Sequence, residues 1–166
     1  MNLAGRRLLR LTAFPAVLAA SMALPRVCSA GDVTAFVALS HPAENWSRGY
    51  GAALASTWFT ALRLEAEAAR IPGDSPGITM TSFTGSAMLA PPIGLLTPYG
   101  GVGVGVFRQS LLDGSDLGTL KCLVLGAKLK LGPILVVKGE YRSIRLSGTP
   151  RLAMDERISA GAGISF

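Results

Sequence analysis

The chain closes on "ERISAGAGISF", Glu156 to Phe166. Ile158, Ala160, Ala162, Ile164 and Phe166 are apolar, and Arg157, Ser159, Gly161, Gly163 and Ser165 between them are charged, polar or tiny. A period of two residues is the signature of a β-strand whose faces meet different surroundings. Ending such a strand on an aromatic raises the question of what both faces touch.

Working back along the chain, seven more stretches show the same period. They are Val33–Ser40, Arg48–Trp58, Leu62–Arg70, Ile78–Leu89, Tyr99–Arg108, Thr119–Leu131 and Ile134–Leu146. One face is Val, Leu, Ile and Ala. The other carries Gly, Ser and Thr with Arg63, Glu65, Glu67, Lys128, Lys130, Lys138, Glu140 and Arg142. The stretch "ALRLEAEAAR", Ala61 to Arg70, is rich in helix formers. As one segment among eight of matching spacing it reads as strand, because context overrides propensity.

The uncharged run Gly85–Phe107 is long enough for a membrane helix. Pro91, Pro92 and Pro98 and the glycines from Gly100 to Gly105 forbid one, so it reads as two strands around a turn at Ala90–Pro98. The connections alternate in character. His41–Ser47, Ile71–Gly77, Gln109–Gly118 and Ser147–Glu156 are polar; Phe59–Ala61, Ala90–Pro98 and Gly132–Pro133 are mostly short and apolar.

The first 30 residues differ. Arg6, Arg7 and Arg10 precede an apolar run from Leu11 to Leu24, and Cys28-Ser29-Ala30 supplies small residues before a cut. This reads as a cleavable secretory signal, residues 1–30, followed by one domain, 31–166. The formal charge is +6, from 16 basic and 10 acidic residues. Four of the basic residues lie in the signal, so the mature chain has twelve against ten, too balanced to suggest nucleic acid. It keeps Cys122 alone, which rules out an internal disulfide and a cysteine-paired zinc site.

The choice of solvent follows from the faces. An eight-stranded barrel has an interior just wide enough for side chains. A uniformly aliphatic outer face around a polar, glycine-relieved interior fits lipid outside, where a closed sheet satisfies every backbone group. The sequence therefore predicts an all-β chain: an eight-stranded antiparallel up-and-down transmembrane β-barrel. Trp58, Phe59, Tyr99 and Phe166 fall at the turn end, where an interfacial girdle belongs. Strands three and seven lie opposite in a ring of eight. Arg63, Glu65, Glu67, Lys128, Lys138, Glu140 and Arg142 are thus expected to form a charge network that plugs the lumen.

With its "TPYGGVGVGVF" strand, "LKLGPILVVKGEYR" hairpin and "ISAGAGISF" end, the chain resembles the small OmpA-like outer-membrane β-barrel family. The resemblance implies a monomer in the bacterial outer membrane, with outer-membrane lipids and lipopolysaccharide as partners. It also implies that Phe166 is the signal read by the outer-membrane assembly machinery. Some outer-membrane barrels are lipid A deacylases with Ser, His and an acid. Here the sole histidine, His41, lies early in the chain beside Ser40, whose side chain points to the opposite face. No enzyme, metal or cofactor is expected. Loop acids Asp113, Asp116, Asp155 and Glu156 read as solvated charge, and "GGVGVG" lacks the helix a nucleotide loop requires. A porin-like channel and a soluble periplasmic lipocalin-like barrel are the alternatives.

Overall fold

Each of the eight stretches of two-residue period forms a strand, and most strands run past the ends of their alternating stretch. The computed structural model describes residues 28–41, 47–59, 61–72, 79–111, 114–147 and 155–166. These form β1 (Cys28–His41), β2 (Ser47–Trp58), β3 (Leu62–Pro72), β4 (Thr79–Leu89), β5 (Leu96–Leu111), β6 (Gly114–Leu131), β7 (Leu135–Ser147) and β8 (Glu156–Ser165). Each pairs antiparallel with its sequence neighbours, and β8 returns to β1 to close the barrel. The helix-forming composition of β3 is overridden by its two ladders, to β2 and β4.

The register fixes the size. Leu135 pairs with Ile164, Ile164 with Val33, Val33 with Leu54 and Leu54 with Ala66. The row continues through Gly85, Val104 and Lys121 to Arg145, back on β7 ten residues from its start. With eight strands, a ten-residue stagger sets a tilt of about 40° and a radius of about 8 Å. Each residue then advances about 2.5 Å along the barrel axis.

Side chains alternate across this wall. Val37, Phe83, Val102, Val104, Leu125, Ile158 and Ile164 are exposed on the outside; Phe36, Met80, Met88, Tyr99, Phe107, Val124 and Val136 are buried inside. On β2, β6 and β7, ten residues separate an outer apolar residue at the turn end (Trp58, Leu131, Leu135) from an outward cation at the loop end (Arg48, Lys121, Arg145). That interval is about 25 Å along the axis, the height of the apolar band of a membrane barrel.

Three readings from the sequence need correction. The polar stretch Gln109–Gly118 is not a loop. Gln109 pairs with Asp116, Ser110 with Ser115 and Leu111 with Gly114, so β5 and β6 run on as a hairpin beyond the apolar band. Once a register is set, its backbone bonds propagate whatever the side-chain polarity. Tyr99 is not in a girdle. It shares the inward face with Gly101 and Gly103, and its ring is buried. Lys130, assigned to the inner face, is exposed at the turn-end rim, where its backbone N–H donates to the Leu95 carbonyl at 3.0 Å. Residues 1–27 of the expected signal lie outside the described residues, while Cys28–Ala30 begin β1.

Candidate functional site: the charged interior

Period two sends Arg63, Glu65 and Glu67 of β3 inward together, and likewise Lys138, Glu140 and Arg142 of β7. The two strands stand on opposite walls, and the lumen is narrow enough for long side chains to meet. Arg142 Nη2 lies 2.8 Å from Glu65 Oε1 and 2.9 Å from Glu67 Oε2, while its Nε donates to Glu140 Oε1 at 2.5 Å. Lys138 Nζ donates to Glu65 Oε2 at 3.2 Å.

One acid and one base that the sequence reading left out, Asp32 and Arg157, extend this cluster toward both ends. At the turn end, Asp32 accepts both terminal nitrogens of Arg63, at 2.7 and 2.9 Å, and Lys128 Nζ at 2.8 Å. Arg63 also donates to Glu65 at 3.0 Å, joining this group to the centre. Toward the loops, Arg157 Nη2 donates to Glu67 Oε1 at 2.6 Å. The result is a continuous ladder of ion pairs along the axis, with every member buried. Arg157 was legible in the terminal alternation as an inward position. Asp32 sits two residues past the expected cleavage site, but it shares the parity of Thr34 and Phe36 and so points inward.

Aromatic rings fit beside the ladder because glycines face them. A Cβ on Gly126 would collide with the Tyr99 ring, and one on Gly51 with the Phe36 ring. Tyr99 donates its hydroxyl to Glu140 Oε2 at 3.0 Å, and Arg63 lies 5.5 Å from its ring centroid. Lys138 and Arg157 lie 5.6 and 5.3 Å from the Phe36 centroid. Beyond the ladder, Ile71, Met80, Phe107, Leu120 and Ile144 form an apolar layer near the loop end.

Carboxylate oxygens of Glu65, Glu67 and Glu140 lie within 4.8 Å of one another, close enough to hold a cation. Arg142 touches all three, and Lys138 and Arg157 flank them, so the protein itself supplies the positive charge. Ser40 is buried on the inner face. Asp116, Asp155 and Glu156 are exposed, Glu156 accepting the Tyr141 hydroxyl at 3.0 Å. Gly101, Gly103 and Gly105 lie in the middle of a strand, with β6 rather than a helix following. Phe166 is exposed at the seam, where it and Gly31 exchange two backbone hydrogen bonds, 2.7 and 2.9 Å long.

A closed eight-stranded barrel, aliphatic outside and charged within, has the fold of the small outer-membrane β-barrels. No protein-family model and no curated protein matches the sequence. Among solved structures the chain is similar to the N-terminal β-barrel domain of Pseudomonas aeruginosa OprF. That likeness has a TM-score of 0.63 and 15% identity, covering 84% of this chain and 98% of that one. It is also similar to Neisserial surface protein A, at a TM-score of 0.60 and 15% identity over 82% of this chain and 94% of that one. The outer membrane enzyme PagL shares the fold at a TM-score of 0.50 and 16% identity, covering 80% of this chain and 98% of that one. At such identities the likeness is one of fold.

Proposed function

We propose that this chain is a non-enzymatic protein of the bacterial outer membrane, exported by a signal at residues 1–30, with a structural or surface-interaction role. Its lumen is plugged by the charge ladder and carries no solute flow. The observation that carries the reading is the pairing of opposite walls, Arg142 of β7 with Glu65 and Glu67 of β3, inside a lumen of about 8 Å backbone radius. A water-filled channel needs lining charges held apart, whereas these are within hydrogen-bond distance. The aliphatic outer face argues for lipid over a soluble lipocalin-like barrel, whose apolar side would face inward. A non-catalytic role is supported by the chain's single histidine, whose neighbour Ser40 is buried.

The test is electrical. Purified protein in planar bilayers is expected to leave the membrane silent, while the same preparation shows heat-dependent gel mobility and fractionates with outer membranes. Stable open channels would move the assignment to a porin-like solute channel. Recovery in the soluble periplasmic fraction would overturn the membrane placement.

A further inference from the structure

The outer face is not uniformly apolar, and its charge is one-sided. At the turn end, Lys130 is the only exposed charged residue among those described. At the loop end, Arg48, Arg70, Arg108, Lys121 and Arg145 stand outward at the edge of the apolar band, with one outward acid, Glu156 of β8, away from Arg70 and Arg108 and bonded to the Tyr141 hydroxyl. Among the described residues none of these five has an acidic partner, whereas every cation of the interior ladder has one.

Two of them frame a groove. Arg70 pairs with Thr81, and Thr81 pairs with Arg108, so the three form one row across β3, β4 and β5. Strand spacing puts the two arginine backbones about 10 Å apart. That spacing is short enough for two arginine side chains to meet one anion placed over Thr81. One outward row nearer the turn end, Phe83 pairs with Val106, and these side chains are 58% and 53% exposed. The groove these residues line, with Leu117 on its far wall, is about 790 Å³. Arg108 Nη2 donates weakly to Ser115 Oγ at 3.5 Å.

We infer that this groove binds a phosphate-bearing lipid of the leaflet that meets the loop end, lipopolysaccharide in an outer membrane. The phosphate lies between Arg70 and Arg108, and an acyl chain runs down over Phe83 and Val106. The inference rests on the membrane placement proposed above. Charge complementarity selects an anion, the forked guanidinium geometry suits phosphate, and the apolar floor directly beneath selects a lipid over a free ion. The height agrees as well, because the arginine row sits where acyl chains give way to headgroups.

The experiment uses the mature barrel in detergent, titrated with bisphosphorylated lipid A and with the same lipid after phosphate removal. The wild type should prefer the phosphorylated form. Arg70→Gln with Arg108→Gln should weaken its binding by about tenfold or more, as expected for losing two charge-assisted contacts. Arg108→Gln alone should give an intermediate loss. Arg48→Gln with Arg145→Gln, at similar height but outside the groove, should leave binding unchanged. Millimolar inorganic phosphate should not displace the lipid. Equal binding by the Arg70/Arg108 double variant, equal loss in the Arg48/Arg145 variant, or displacement by inorganic phosphate would each overturn the inference. Flotation with vesicles separates the two levels. A wild-type chain that does not float overturns the membrane placement and the inference together, while one that floats without preferring phosphate overturns the inference alone.

Discussion

Arg142→Ala removes the hub of the interior ladder. Its guanidinium contacts Glu65, Glu67 and Glu140, three carboxylates gathered within 4.8 Å. Without it, Lys138 and Arg157 are left to balance all three, apart from the contact of Arg63 with Glu65. Removing one partner of a buried pair costs about 3–5 kcal/mol, and Arg142→Ala belongs at the upper end because three acids lose a contact together. Glu67→Ala belongs at the lower end, about 3 kcal/mol, because Arg142 keeps two acids while Arg157 is left with Glu140 at 3.9 Å. In the Glu67→Ala background the acids around Arg142 are fewer, so the double variant should lose about 1–3 kcal/mol less than the sum. Urea unfolding in detergent, followed by tryptophan fluorescence and by gel mobility, reads all three. Arg145→Ala on the outer face is the control and should change stability by under about 0.5 kcal/mol. Losses below about 1 kcal/mol with simple additivity would refute the reasoning, since such values belong to exposed pairs.

Deleting Phe166 removes the two hydrogen bonds it shares with Gly31 at the closing seam, together with the terminal aromatic. It should lower outer-membrane levels more than deleting Leu111 and Leu112 at the opposite rim, as immunoblots of fractionated cells would show. The exported chain should have the intact mass of residues 31–166; a retained Met1, or a lipid on Cys28, would contradict the signal reading. Gly126→Ala places a methyl against the Tyr99 ring and the Gly139 carbonyl and should cost about 1–3 kcal/mol in urea unfolding. Gly139→Ala, with nothing near the added carbon, should be close to neutral.

The strand count and the facing of most residues were legible because β-structure encodes both in a period of two, repeated eight times; Tyr99 and Lys130 were misplaced because a strand end was read by its position in sequence. The ring arithmetic extends that reading to contacts: β3 and β7 are four apart, so their inward charges stand opposite. What the pattern could not carry is vertical position. Tyr99 and Trp58 both lie near strand ends in sequence, yet parity sends one to Glu140 and leaves the other half-buried on the wall. The length of the β5–β6 hairpin was hidden for a related reason. Outside lipid both faces of a strand meet water, so Gln109–Gly118 has no alternation to read. The groove at Arg70 and Arg108 depends on which residues are cross-strand partners, and the sequence alone gives no register.

The closing seam between β1 and β8 has a consequence for how the molecule is made. Asp32 and Lys128 are 96 residues apart, Glu67 and Arg157 are 90, and Glu65 and Arg142 are 77. None of these pairs can form while the sheet is open, because the walls that carry them meet only when the last strand finds the first. Until then nine charges hang from a ribbon that water still wets, which keeps the waiting chain soluble. A half-inserted sheet would bring those charges unpaired into hydrocarbon, at a cost of several kcal/mol each. Insertion and closure are therefore a single event. The strand that completes the ring is β8, so all eight strands must be present together before the ladder can assemble.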